Sequence, residues 1–472
     1  MNGLLDETIA AVGRAQGKGG GRVERPMHDM LLAAADRLSL HMPGAQGRPP
    51  FGPMEPYRLE TTELPVTGDL YAPAGAVARA EALAAASAGA AHTLMLAGGS
   101  TAGMHAMLLY AAGGGGAVIL PRSVHASAIH LCAVAGLEPV FARPAFTASE
   151  LCYTPEQSYL EALERHPHAR AMLVTRPDYY GALHWPQSAV ARAKALGMLV
   201  LCDEAHGAHL NWDAHTPTAG ELGADLWVQS AHKTLPALNA GAWLHTGPGV
   251  DARLLRARLR MVQTSSPSFV GLMALDDARA WMDGHGARAV AQLTAAAARF
   301  HARAAALGYG DGQCEPGWAY DRTRLVIGAP QGGFALAQAL AQRGIDVEMS
   351  DARRVVCILS LMDGPERLKR LLAALEQLPP APCAAQAVPM PPTDLPPRDA
   401  PLKQAAFAPA QAVPIAQAAG RVSAVTAGLY PPGTPLITPG ERITPALAAY
   451  LNAMDGSRLF GLGPDATIDC IR

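Results

Sequence analysis

Two residues in this chain are placed to act together, and each follows an apolar run. Leu199-Val-Leu-Cys202 leads into Asp203-Glu-Ala-His206. About thirty residues on, Leu226-Trp-Val-Gln229 leads into Ser230-Ala-His-Lys233. A short apolar run closed by a polar group reads as a buried strand with its functional side chain at the end. A lysine and a carboxylate at two such ends suit pyridoxal phosphate (PLP). The amine forms a Schiff base, and the acid faces the pyridine nitrogen and keeps it protonated.

A third strand end supplies the anion site that a phosphate needs. Gly98-Gly-Ser-Thr-Ala-Gly103 joins a strand to a helix. Its glycines allow close backbone approach, and the helix amides with the hydroxyls of Ser100 and Thr101 can bind phosphate. The run has no Gly-Lys-Ser/Thr, so it is not a nucleotide P-loop. His125 follows another strand, where an imidazole either stacks on a planar cofactor or caps a helix. Two other readings of Asp203-Glu-Ala-His206 are weighed. A helicase box needs a Walker A motif upstream, and the chain has none. A metal-dependent hydrolase would use Asp203, His206 and His209 as ligands, but it leaves Lys233 and the glycine turn without a role.

From residue 76 the pattern that must hold these residues is an alternation of strands and helices. Strands are expected at 93–96, 117–120, 139–142, 171–175, 199–203, 226–229 and 241–245. Helices are expected at 77–88, 124–135 and 187–196, one runs from the glycine turn to residue 112, and one begins at Thr154-Pro-Glu-Gln157 with a capping box. Alternation of this kind means βαβ units and a mainly parallel sheet, which binds ligands at its C-terminal strand ends. The expected division is an N-terminal segment (1–75, with possible helices at 4–15 and 28–40), a large cofactor-binding unit (76–305), a small α+β unit (306–378), a Pro/Ala-rich linker (379–401) and a C-terminal unit (402–472).

Bulk properties narrow the class. Half of the 472 residues are apolar, 17% are charged, and the formal net charge is −2. A nucleic-acid partner would call for a basic surplus. The seven cysteines are scattered without a Cys-x-x-Cys pair, which suits a reducing compartment. The first residues are acidic where a signal peptide is basic, and no apolar run reaches membrane-spanning length. The expectation is a soluble, cytoplasmic enzyme.

In order and spacing, these motifs resemble the bacterial PLP-dependent Orn/Lys/Arg decarboxylases, in the short form without an N-terminal wing domain. The likeness runs from about residue 27 to the end. It is carried by His41-Met-Pro-Gly44, Gly98–Gly103, Arg122-Ser-Val-His-Ala-Ser127, Arg176-Pro-Asp-Tyr-Tyr-Gly181, Asp203–His209, Gln229–Lys233, Thr264-Ser-Ser-Pro-Ser268, Tyr430-Pro-Pro-Gly433 and Pro439-Gly-Glu441. The resemblance implies the aspartate aminotransferase-like fold type I, with a mainly parallel seven-stranded sheet and a smaller α+β C-terminal region. It implies that a basic amino acid loses carbon dioxide to give an amine of the kind used in polyamine synthesis.

It also implies residue roles. Lys233 would carry PLP, Asp203 would pair with its ring nitrogen and His125 would stack on the ring. Ser100, Thr101, Ser230 and His232 would surround the phosphate, with His206 near the ring or substrate. Thr264 would reach the phosphate of a partner subunit across a homodimer interface, and Glu441 would help receive the substrate's distal cation. The chain departs from the family pattern at Gln46, Met104 and Ala126. Within the same cofactor class an aminotransferase or Cβ-lyase stays open, as does a degenerate protein that binds PLP without turnover.

Overall fold

The computed structural model describes residues 23–35, 55–362, 365–378, 380, 390–430, 433–454 and 456–472. The expected helix at 4–15, the His41-Met-Pro-Gly44 motif, the Gln46 departure and residues 379 and 381–389 of the Pro/Ala-rich stretch lie outside them.

The central sheet has seven strands: β1 (His92–Leu96), β2 (Ala117–Pro121), β3 (Glu138–Ala142), β4 (Ala171–Thr175), β5 (Leu199–Asp203), β6 (Leu226–Gln229) and β7 (Ala242–Thr246). Their spatial order is β1-β7-β6-β5-β4-β2-β3. The five strands from β3 to β6 are parallel, and β7 runs antiparallel to both neighbours. Helices pack on both faces, so the strands are apolar on both sides. Leu94 and Leu96 of β1 enter one core and Met95 enters the other. Leu173 likewise faces away from Met172 and Val174 on β4.

The helices that matter for the site are α1 (Pro26–Ala35), α2 (Gly75–Ser87), α3 (Gly99–Ala112), α4 (Ala126–Ala135), α5 (Glu156–Arg165), α6 (Gln187–Ala195), α7 (Ala252–Leu259) and the long α8 (Phe269–Ala306). Two local expectations need correction. Helix α5 is capped by Pro155 with no side-chain cap, and the hydroxyl of Thr154 is buried without a partner, so the capping box does not form. Gly103 belongs to the body of α3, where a Cβ would come within 2.6 Å of Val228 and 2.7 Å of Leu96. It serves helix-on-sheet packing, and the glycine with a positive φ in the turn is Gly99, at +70°.

After α8 comes a four-stranded antiparallel sheet: β8 (Gly310–Asp311), β9 (Arg324–Gly328), β10 (Met349–Ser350) and β11 (Arg354–Ile358), in the order β8-β9-β11-β10. It packs with α9 (Gly333–Ala341) and α10 (Pro365–Glu376) around the inner face of α8. The C-terminal region forms small antiparallel sheets around α11 (Pro445–Ala453), with a core of its own. Among the described residues no helix is long and apolar enough to cross a membrane.

Candidate active site

A cavity of about 460 Å³ lies at the C-terminal ends of the parallel strands. Ser100, Thr101, His125, Asp203, His206, His232 and Lys233 all line it. The topology explains why. Strands β5 and β6 are parallel neighbours with Asp203 in register with Val228, so the acid and the helical turn that carries Lys233 (Ala231–Thr234) emerge side by side.

The Lys233 amine lies 3.1 Å from Nε2 of His206. The other ring nitrogen of His206, Nδ1, lies 2.9 Å from Nη2 of Arg324, which starts β9 in the small sheet. Burial, with the positive charge of Arg324, lowers the pKa of Lys233 below the usual ammonium range, against the pull of Asp203 and Glu348. Burial also holds His206 well below its ordinary value, and the charges of Lys233 and Arg324 add to that. The ring of Tyr179 sits 4.8 Å from that of His206, and its hydroxyl donates to Glu348 at 3.2 Å.

Another part of the lining is suited to an anion. Helix α3 points its first turn, with Ser100 and Thr101, into the cavity. The side-chain oxygen of Gln263 accepts from the amides of Ala97 (2.9 Å) and Gly98 (3.0 Å), which pins the turn in place. The hydroxyl of Ser230 is fully buried at the N-cap of the lysine's turn and has no hydrogen-bond partner. An orphaned buried donor is costly, and this one sits one residue from Ala231, at the start of the turn that carries the cavity-lining His232 and Lys233. His232 donates through Nδ1 to the carbonyl of Gly241 at 3.1 Å. His125 combines the two readings open to it, because it caps α4 by accepting from the amide of Ser127 and also lines the cavity. These donors, the buried lysine and the acid fit PLP.

Three expected residues are not among those that line the cavity: Ser230, fully buried behind it, Thr264 and Glu441. Thr264 is exposed and bonded locally to the amide of Ser266. Glu441 is 2% exposed and fully engaged elsewhere. It pairs in bidentate fashion with Arg122, both contacts at 2.8 Å, and also accepts from Arg398 and from the amide of Thr438. Its oxygens are not available to a substrate cation, and that expectation is corrected. The metal-site alternative also loses its ligands: the two ring nitrogens of His206 are taken up by Lys233 and Arg324, and Nε2 of His209 turns to Asp321 at 3.2 Å. Among the described residues no cluster of three His, Cys, Asp or Glu side chains is placed to hold a metal.

The Orn/Lys/Arg decarboxylase major domain matches residues 59–309, and the C-terminal domain of the same family matches 383–460. The chain belongs to the Orn/Lys/Arg decarboxylase family. It is 31% identical to the uncharacterized protein YaaO of Bacillus subtilis, over 89% of this chain and 92% of that one. It is 28% identical to the arginine decarboxylase of Bacillus anthracis, over 95% and 97% of the two chains. Among solved structures, the E. coli constitutive lysine decarboxylase superposes with a TM-score of 0.83 at 18% identity, covering 95% of this chain and 82% of that one. Lysine decarboxylase A from Pseudomonas aeruginosa gives 0.80 at 21% identity, covering 99% and 83%. The fold is that of the type I PLP enzymes, and the reaction is PLP-dependent decarboxylation of a basic amino acid.

The decarboxylase carries site features that strand-end reasoning passed over. Asp178 lines the cavity within the Arg176–Gly181 motif, and its carboxylate accepts from the amides of Tyr180 (2.9 Å) and Ala182 (2.8 Å). Burial raises its pKa to about 6. At the same end Trp318 meets His184 edge-on at 4.0 Å and Tyr153 at 5.0 Å, and burial lowers His184 to about 4. Trp318 and Arg324 come from the region after α8, in stretches that carry no motif.

Proposed function

We propose that this decarboxylase holds PLP on Lys233, that arginine is its first substrate among the basic amino acids, and that a second copy of the chain completes the site. When bound, PLP supplies an electron sink for the pair left behind as carbon dioxide departs. Asp203 holds the proton on the ring nitrogen through its adjacent negative charge. His125 would pack against the ring of the bound cofactor. Ser100, Thr101, Ser230 and His232 would hold its phosphate. His206 and Lys233 hold the proton that is delivered to the substrate carbon. With Glu441 engaged elsewhere, the acids lining the cavity besides Asp203 are Glu156 and Asp178. They supply negative charge for the cationic tail beside the aromatic wall of Tyr153 and Trp318.

The observation that carries this reading is the buried Lys233 amine, 3.1 Å from a neutral His206 in a cavity shared with Asp203. The choice of arginine rests on near-full-length relatives that bear that name. The exposure of Thr264 outside its own cavity supports a partner's role for it. The test is carbon dioxide release with product identification on arginine, lysine and ornithine, using the wild type and Lys233→Ala. The expected result is amine and carbon dioxide in equal amounts, fastest from arginine, with loss of both turnover and the visible absorbance of bound PLP in Lys233→Ala. Keto-acid products without carbon dioxide, or full activity in Lys233→Ala, would overturn the assignment.

A further inference from the structure

Arg324 is an expensive residue to bury. It is 1% exposed, its Nε and Nη1 make no hydrogen bond, and burial pushes down even its guanidinium pKa. The carboxylates of Asp321, Glu348 and Asp178 act against its charge from around it. Its Nη2 reaches Nδ1 of His206 at 2.9 Å. A guanidinium has only N–H groups to offer, so Nδ1 must be the acceptor. A neutral imidazole carries one proton, which then sits on Nε2 and faces Lys233 at 3.1 Å. A donor at that position requires a lone pair on the lysine nitrogen, so the geometry selects the free amine over the ammonium ion.

We propose that Arg324 is a positioning residue: it fixes the tautomer of His206 so that the Nε2 proton is aimed at Lys233, and thereby holds Lys233 as the uncharged, nucleophilic amine. The three residues come from three places. His206 follows β5, Lys233 follows β6, and Arg324 begins β9 of the small sheet. Placement of the small sheet on the large one therefore sets the protonation of the lysine. Gly181 permits this close placement, since a Cβ there would lie 3.0 Å from that of Arg324 and 2.8 Å from the amide nitrogen of Gln313. Other charges act on the pair. Asp203 and Glu348 favour the ammonium form of Lys233, while His125 and His209 add to the pressure that keeps His206 neutral. Without Arg324, Nδ1 can take the proton, the ring flips tautomer, and Nε2 becomes an acceptor for the ammonium form.

The inference rests on reading Lys233 as the cofactor lysine, but its test does not need turnover. The cofactor-free chain is exposed to an amine-acylating reagent across a pH series, and modification of the Lys233 peptide is followed by mass spectrometry. In the wild type the midpoint should fall below that of the surface lysines. Arg324→Met, which removes both donor and charge, should raise the midpoint by about one pH unit and cut labelling at pH 8 about tenfold. Arg324→Lys, which retains a donor and a charge, should restore most of it. An unchanged midpoint in a folded Arg324→Met would overturn the proposal. If that variant does not fold, nitrogen-15 NMR of wild-type His206, assigned by difference from His206→Gln, decides the question. A non-protonated Nδ1 supports the proposal, and a protonated Nδ1 overturns it. Failure of the wild type to bind PLP would count against the functional reading and leave the labelling result standing.

Discussion

The residues behind the site matter as much as those that line it. His245 on β7 is fully buried, with Nδ1 2.7 Å from the hydroxyl of Thr93 and Nε2 3.0 Å from the side-chain oxygen of Gln229. Gln229 in turn donates to Glu204 at 2.8 Å, next to Asp203 in the chain. This network satisfies a neutral imidazole, and burial lowers the pKa of His245 to about 3. The sign follows from linkage. A base with a depressed folded pKa contributes stability that is complete above its unfolded value, near 6.5, and is lost as pH falls toward 3. The slope is up to about 1.4 kcal/mol per pH unit. Denaturant midpoints at pH 7, 6, 5 and 4.5 should therefore fall more steeply for the wild type than for His245→Gln. Equal slopes would show that this histidine is not what makes the protein acid-sensitive. Its position could be read from the sequence as one apolar strand, but its titration could not, because Thr93 and Gln229 lie far from it in the chain.

At the scale of elements, helix α3 links core packing to the phosphate end of the site. Its first turn carries Ser100 and Thr101, and one turn on Gly103 lies against β1 and β6. A methyl at Gly103 would meet Val228 and Leu96 at 2.6 and 2.7 Å. Val228 is stiff, so the helix must lift off the sheet, at a cost of about 1–3 kcal/mol. Gly103→Ala should thus lower thermal stability and weaken PLP binding together, as read by melting and by PLP titration. A stability loss with unchanged PLP affinity would mean that the first turn is held by Gln263 alone. The element pattern was largely legible in the sequence, because βαβ alternation is local and places the glycine turn, His125, Asp203 and Lys233 at the same sheet edge. What local pattern could not supply was contact between distant segments. The Thr154-Pro-Glu-Gln157 signature lost to tertiary context, with Pro155 taking the cap and the Thr154 hydroxyl buried without a partner. Trp318 reaches the cavity, and Arg324 reaches His206 on its lining, only because the small sheet docks beside it.

Across the whole molecule, the Arg122-Ser-Val-His and Pro-Gly-Glu441 motifs turn out to face each other. Arg122, just past β2, donates to both carboxylate oxygens of Glu441 and to the carbonyls of Pro435 (3.0 Å) and Leu436 (2.8 Å), while its guanidinium stacks 4.5 Å above Phe141. Both side chains are 3% exposed. The pair joins the C-terminal region to the large sheet beside the cavity, and this accounts for both residues without a substrate. Removing one partner of such a buried pair leaves an uncompensated charge and costs about 3–5 kcal/mol, whereas replacing both with apolar groups of similar size is often close to neutral. Glu441→Gln should therefore destabilise the chain by an amount in that range, with KM for the amino acid little changed in the protein that stays folded. Arg122→Met combined with Glu441→Leu should recover most of the stability, short of what the two carbonyl contacts contribute. Chemical unfolding of the single and double variants gives the coupling, and steady-state kinetics give KM. A Glu441→Gln enzyme of wild-type stability with a strongly raised KM would return Glu441 to the substrate and show the buried pair to be dispensable.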